Sequence, residues 1–192
     1  MHLLTEEEGA LALQAARAFV QAAVTRSPLP LFKFPEIFSE NRGVFVTLTE
    51  FGDLRGCIGY PYPVMPLGEA LREAAVSAAL SDPRFYPVGP AELDDIRVEV
   101  TVLTAPEVLA CEPSLRPAEI SVGRHGLIAS VGRKSGLLLP QVAEEYGWNA
   151  EEFLRETCRK AGLHEEEWKK ETCLIQTFEG QIFTESEHGS NI

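Results

Sequence analysis

Cys57 stands between two glycines in Leu54-Arg55-Gly56-Cys57-Ile58-Gly59, with an arginine two residues before it. A thiol can act as a nucleophile once it is a thiolate, and a nearby guanidinium favours that form. On a regular strand Arg55 and Cys57 project from the same face, so Arg55 is the expected cation. The same guanidinium could instead grip a carboxylate or phosphate through two parallel hydrogen bonds. Gly56 and Gly59 remove side-chain bulk and would let a ligand approach the backbone closely. His125, the best placed of the four histidines, sits in Gly123-Arg124-His125-Gly126 and is the candidate general base. Arg84, in Asp82-Pro83-Arg84-Phe85, could bind an anion or cap a helix end and pair with Asp82. Gln141 follows Leu139-Pro140 and is placed with the residues lining such a site. Each feature also has a plainer reading. Free cysteines are commonly buried, strand glycines can admit a packed helix, and a turn histidine can bond locally.

These residues need elements to hold them. Thr5-x-x-Glu8 predicts a capping box before a helix to about Val24, with Leu13, Ala16, Phe19, Val20 and Ala23 at helical spacing. Residues 31–43 read as irregular. Val44 to Glu50 alternates as a strand, Phe51-Gly52-Asp53 turns, and Leu54 to Gly59 is the expected return strand. From about Pro66 to Leu80, the spacing of Leu67, Leu71, Ala74 and Ala78 predicts a helix with a stripe of small residues. Ile96 to Thr104 is the clearest strand.

Further on, a strand near 118–123, a turn at Arg124-His125-Gly126 and a strand from Leu127 to Val131 read as a hairpin. Gly132 to Gly136 is a turn into Leu137-Leu138-Leu139, and Pro140 opens a short helix closed by Gly147. Asn149 caps a helix over about 150–161, followed by Gly162 at its end. A last hairpin is expected from Cys173 to Thr184, turning at Glu179-Gly180. Hairpins mixed with helices, without regular strand–helix alternation, indicate α+β with a mainly antiparallel sheet flanked by helices. The length of 192 residues fits one domain or two intimate subdomains. Residues 1–185 are read as the body, and 186–192 as a mobile tail.

Composition limits the function. With 29 acidic against 17 basic residues the net charge is -12, which disfavours nucleic-acid binding. No apolar run reaches the length of a membrane span, and the acidic start is unlike a signal peptide, so a cytoplasmic protein is expected. The four cysteines (Cys57, Cys111, Cys158, Cys173) form no Cys-x-x-Cys pair, no metal-ligand spacing is present, and no cofactor motif stands out.

The hexapeptide resembles that of the AMMECR domain family. The resemblance extends to Val46-Thr47-Leu48, Ser81-Asp82-Pro83-Arg84-Phe85, Glu99-Val100 with Val102-Leu103, and Gly123-x-His125-Gly126-Leu127. It continues through Leu138-Leu139-Pro140-Gln141-Val142, Lys160-Ala161-Gly162 and Phe183-Thr184-Glu185. It implies an intracellular α+β protein with two subdomains and a cleft between them to which the hexapeptide contributes. It also implies pathway partners of the Memo and radical-SAM types. Two functional readings stand: an enzyme acting on a small or anionic substrate around Cys57, and a non-catalytic module that binds a small-molecule or protein ligand. A third reading takes the hexapeptide as a folding element only.

Overall fold

The computed structural model describes residues 3–185 and divides into two compact units. Residues up to Leu103, together with those from Gln181 onward, form the first; Thr104–Gly180 form the second. The stretch 186–192, expected as a tail, lies outside the described residues.

The first unit opens with α1 (Glu6–Thr25), whose capping box is complete: Thr5 Oγ1 accepts from the Glu8 N–H, and the Glu8 carboxylate accepts from the Thr5 N–H. Strands β1 (Val44–Glu50) and β2 (Asp53–Tyr60) form an antiparallel hairpin, α2 (Leu67–Leu80) follows, and β3 (Ile96–Leu103) pairs antiparallel with the far side of β1. Period-two alternation puts Val44, Val46, Leu48, Val98, Val100 and Val102 on one face, all fully or almost fully buried. α1 and α2 cover that face. Small residues let them lie close: α2 buries Ala70, Ala74, Ala75, Ala78 and Ala79 beside Leu67 and Leu71. Phe32, Phe34, Ile37 and Phe38 of the irregular segment pack against the same core.

In the second unit β4 (Glu107–Val108) and β5 (His125–Val131) both pair antiparallel with β7 (Leu174–Thr184), and β6 (Lys134–Leu138) returns along β5. Its helices are α3 (Arg116–Glu119), α4 (Pro140–Glu145) and α5 (Ala150–Lys160). The core gathers Leu127, Ala129, Phe153, Leu154, Trp168 and Ile175. Asn149 caps α5 with a full capping box, and Gly162 takes a left-handed φ of 68° after it.

Three expectations are corrected here. The strand near 118–123 is instead the single-turn helix α3 and a turn at Gly123 with φ 85°. Arg116 explains it: this buried side chain donates to the carbonyls of Trp168, Lys170 and Cys173, which ties the segment down as a helical turn. The turn at Arg124-His125-Gly126 falls earlier, because His125 already pairs with Glu179 as the first residue of β5. The hairpin at Glu179-Gly180 is absent, and β7 runs straight through. Glu179 has partners along an extended backbone: its N–H donates to Thr104 Oγ1 at 2.8 Å, and its carbonyl accepts from the Thr104 N–H at 2.9 Å. A strand bonded on its flank has no reason to turn.

The close approach of α2 to β2 makes a testable demand on Gly56. A methyl group added there would collide with the Ala78 carbonyl oxygen, which is backbone and cannot swing aside. Gly56→Ala should cost about 1–3 kcal/mol, as overpacking of a tight contact does. Urea unfolding with an unchanged slope would measure it, and an unchanged midpoint would refute the contact.

Candidate functional site

β2 is the edge strand of the first unit's sheet, so the residues of the hexapeptide have β1 on one side only. A two-residue turn with regular pairing would set Cys57 opposite Val46, on the core face. One β-bulge changes this. Leu48 faces Gly56 and Thr49 faces Leu54, so Arg55 has no partner opposite and every later residue is shifted by one. Cys57 therefore lies opposite Thr47, on the face away from the helices. Thr47 Oγ1 donates to Cys57 Sγ at 3.3 Å. Thr47 in turn faces Glu99 on β3, and Glu99 accepts from Thr184 Oγ1 at 3.4 Å. A row of thiol, hydroxyl, carboxylate and hydroxyl thus crosses the sheet, with Cys57 and Thr47 half-buried.

The outward edge of Cys57 is occupied as well. Its N–H donates to Asp82 Oδ2 at 2.8 Å, and its carbonyl accepts from Arg84 Nη2 at 3.2 Å. Arg84 is itself fixed by the Asp82 carboxylate, with Nε to Oδ1 at 3.0 Å, Nη2 to Oδ2 at 2.7 Å, and its backbone N–H to Oδ1 at 3.0 Å. The Arg84 guanidinium, followed by the Cys57 and Arg84 N–H groups, holds the buried Asp82 carboxyl well below the usual carboxylate range, against the upward push of burial. The pKa of Arg84 is raised, by Asp82 first and to a smaller extent by the Cys57 thiol. Half of the Arg84 side chain (53%) stays exposed.

Arg55 does not face this thiol. Its Nε donates to Glu92 Oε1 at 2.7 Å and its Nη1 to the Tyr86 carbonyl at 2.9 Å, while the other Glu92 oxygen accepts from the Gly89 N–H at 2.6 Å. Arg55, then the Gly89 N–H, lower the pKa of Glu92. The residue expected as an anion anchor is bound to the 86–92 loop, because the bulge turns it there. Gly56 and Gly59, expected to leave room for a ligand, have that room filled by the chain itself: Gly56 by the Ala78 carbonyl, Gly59 by the Phe45 ring and Val44 carbonyl. Cys57 and Arg84 are brought together. His125 and Gln141 belong to the second unit, where His125 Nδ1 accepts from the Ser121 N–H at 3.2 Å and Gln141 lies half-buried on α4.

The pairing of Arg84 with Asp82 was expected; Thr47, Glu99 and the bond from the Cys57 N–H to Asp82 are what reasoning from the sequence missed. Thr47 follows from the bulge alone. Asp82 had a signal: an aspartate two residues before an arginine, just past a helix, can grip that arginine and still accept from a neighbouring strand. A groove of about 940 Å³ in the first unit, lined by Arg17, Phe51, Asp94, Asp95 and Arg97 among others, includes no residue of the hexapeptide. Among the described residues no group of three or more His, Cys, Asp or Glu could hold a metal ion, and no helix is long and apolar enough to cross a membrane.

These features define an α+β protein with an antiparallel sheet flanked by helices and a cysteine presented on an edge strand. The crystal structure of an uncharacterised protein from Pyrococcus horikoshii has the same fold, with a TM-score of 0.82 and 45% identity, covering 95% of this chain and 93% of that one. The chain belongs to the AMMECR1 family, whose model matches residues 13–183. A protein of Methanocella arvoryzae is 50% identical over 192 residues, spanning 99% of this chain and 97% of the relative. A protein of Methanothermobacter thermautotrophicus is 52% identical over 186 residues, spanning 95% and 96%.

Asp82 gives the site a pH signature. Its pKa is depressed in the folded protein, so its stabilising contribution is complete above the ordinary carboxylate pKa of about 4 and is lost as pH falls towards the folded value. Asp82→Asn should cost about 1–3 kcal/mol at pH 7, the range for a lost charged hydrogen bond. Urea titrations at neutral pH and near pH 3 should show the gap to wild type shrinking in acid; a gap independent of pH would disprove the assignment.

Proposed function

We propose that the protein is an enzyme whose reactive group is the Cys57 thiol and whose substrate is small and anionic, held by Arg84. The observation that carries this reading is the clamp on Cys57: a half-buried thiol whose N–H and carbonyl are held by Asp82 and the Arg84 guanidinium and whose sulfur accepts from the Thr47 hydroxyl. A nucleophile gains from being held in one geometry, since the cost of orienting it is met before the substrate arrives. The proposal rests on the first unit alone.

The roles follow from chemistry. Cys57 Sγ attacks an electrophilic carbon or phosphorus of the substrate; as the bond to sulfur forms, the bond to the leaving group breaks and that group departs with its electron pair. Arg84, fixed by Asp82 through Nε and Nη2, turns its exposed edge to a carboxylate or phosphate on the substrate. Thr47 bonds the sulfur and orients it. Glu99 supplies a carboxylate in the same row and is the group assigned to accept the thiol proton. Arg55 takes a structural part, holding the 86–92 loop against β2.

Alkylation kinetics test the reading on the native protein. Iodoacetate carries a negative charge and iodoacetamide does not, so their relative rates at Cys57 report the guanidinium. Cys57 should react at least about tenfold faster than the fully buried Cys158, since reactivity follows exposure and thiolate character. Iodoacetate should be favoured in the wild type, and Arg84→Gln should abolish that preference. If Cys57 reacts no faster than Cys158, the catalytic reading fails. If it reacts readily but Arg84→Gln leaves the preference unchanged, the anionic substrate class is wrong.

A further inference from the structure

After α1 the chain crosses the first unit as an irregular stretch, Ser27 to Pro35, in which successive residues turn opposite ways. Phe32 and Phe34 pack onto the core, while Leu31, Lys33 and Pro35 face solvent. The packed rings form a continuous row. Phe19 meets Phe32 edge-on at 5.4 Å, Phe32 stacks on Phe34 at 5.6 Å, and Phe34 stacks on Phe38 at 4.5 Å. Gly68, in the first turn of α2, makes room for Phe34, whose ring would stand 3.0 Å from a Cβ placed there. Along this row runs a groove of about 330 Å³, lined by Phe32, Phe34, Phe38 and Pro66 among others, and by the exposed Glu69 and Arg72 of α2.

Leu31 lines the same groove, yet it is 100% exposed. Single apolar residues on a surface are ordinary. One that stands wholly in water at the edge of an aromatic groove is a knob beside a hole. When a surface of this kind meets its own copy across a two-fold axis, each knob faces the other copy's hole. We propose that the first unit pairs with a second copy of this chain through the groove, Leu31 of each copy entering the groove of the other.

Charge complementarity selects the second copy as occupant. The chain has a net charge of -12, so two copies repel over most of their surfaces. At the groove the two signs balance. Glu69 and Arg72 are three residues apart on α2 and therefore project as neighbours. Within the chain Arg72 approaches Glu73 at 4.0 Å, beyond hydrogen-bond distance, and keeps 46% of its side chain exposed. A two-fold axis through the groove sets Glu69 of one copy against Arg72 of the other, and the pair occurs twice. A partner of uniform charge would meet its own sign at one of these two positions. The aromatic row is already stacked in the single chain, so receiving a leucine costs it little ordering.

The test is the oligomeric state of the full chain, measured by sedimentation equilibrium over a concentration series reaching the millimolar range. The wild type should show a reversible equilibrium between monomer and dimer. Leu31→Asp should raise the dissociation constant at least about tenfold, the loss expected when a buried leucine is given up. The Tm of that variant at low concentration should match the wild type, because the exposed side chain takes no part in the core. Glu69→Arg and Arg72→Glu should each weaken the dimer by setting like charges across the axis, and the double swap should restore it. The proposal is overturned if the wild type stays monomeric throughout, if Leu31→Asp dimerises as tightly as wild type, or if the double swap is no tighter than either single variant. Should Leu31→Asp fail to fold, the charge series decides alone.

Discussion

An edge strand carries backbone donors and acceptors that no neighbouring strand satisfies, and β2 meets that constraint at Cys57 with one ion pair of side chains. Asp82 accepts the Cys57 N–H, and the arginine that Asp82 holds donates to the Cys57 carbonyl. Together they present a donor and an acceptor where the next strand would stand. The carboxylate is buried, so its charge is tolerable only because Arg84 neutralises it and two N–H groups complete its coordination. The same arrangement protects the edge: a strand from another molecule finds these positions taken.

Much else is arranged so that this carboxylate can be where it is. Asp82 lies just past the end of α2, so the helix must bring its last turn against β2. That approach requires a glycine at position 56 and alanines along the facing stripe, because any larger residue would hold the helix off the sheet. The bulge at Arg55 belongs to the same solution. It moves Cys57 from the core face to the polar face and sends the Arg55 guanidinium towards Glu92, which fixes the loop that follows Arg84. Hence the hexapeptide and Asp-Pro-Arg-Phe, far apart in the chain, form one structural unit, and both glycines of the hexapeptide are accounted for by packing.

Features governed by local spacing were legible in the sequence. The capping boxes at Thr5 and Asn149 are set by residues three apart, the α2 stripe by helical periodicity, and β3 by strict alternation. Features governed by distant partners were not. Glu179-Gly180 has the composition of a turn, and partners distant in the chain, Thr104 on one side and His125 of β5 on the other, keep it extended. The segment 118–123 alternates like a strand, yet Arg116 commits it to a helical turn through carbonyls more than 50 residues distant. Within the hexapeptide, the residue types were legible but the register was not. A single bulge, invisible to pattern, decides which face of the sheet the thiol is on.

Environment sorts the cysteines where residue type could not. Cys57 sits on the polar face beside a hydroxyl and near a fixed guanidinium, half in solvent. Cys158 and Cys173 are fully buried in the hydrophobic cluster of the second unit. A buried thiol behaves as a small hydrophobe, whereas one with access to solvent can be reached by a reagent or substrate. Arg84 and Arg116 mark the division. The first keeps half its surface in water while Asp82 balances its charge; the second is buried, with its donors spent on the carbonyl oxygens of Trp168, Lys170 and Cys173.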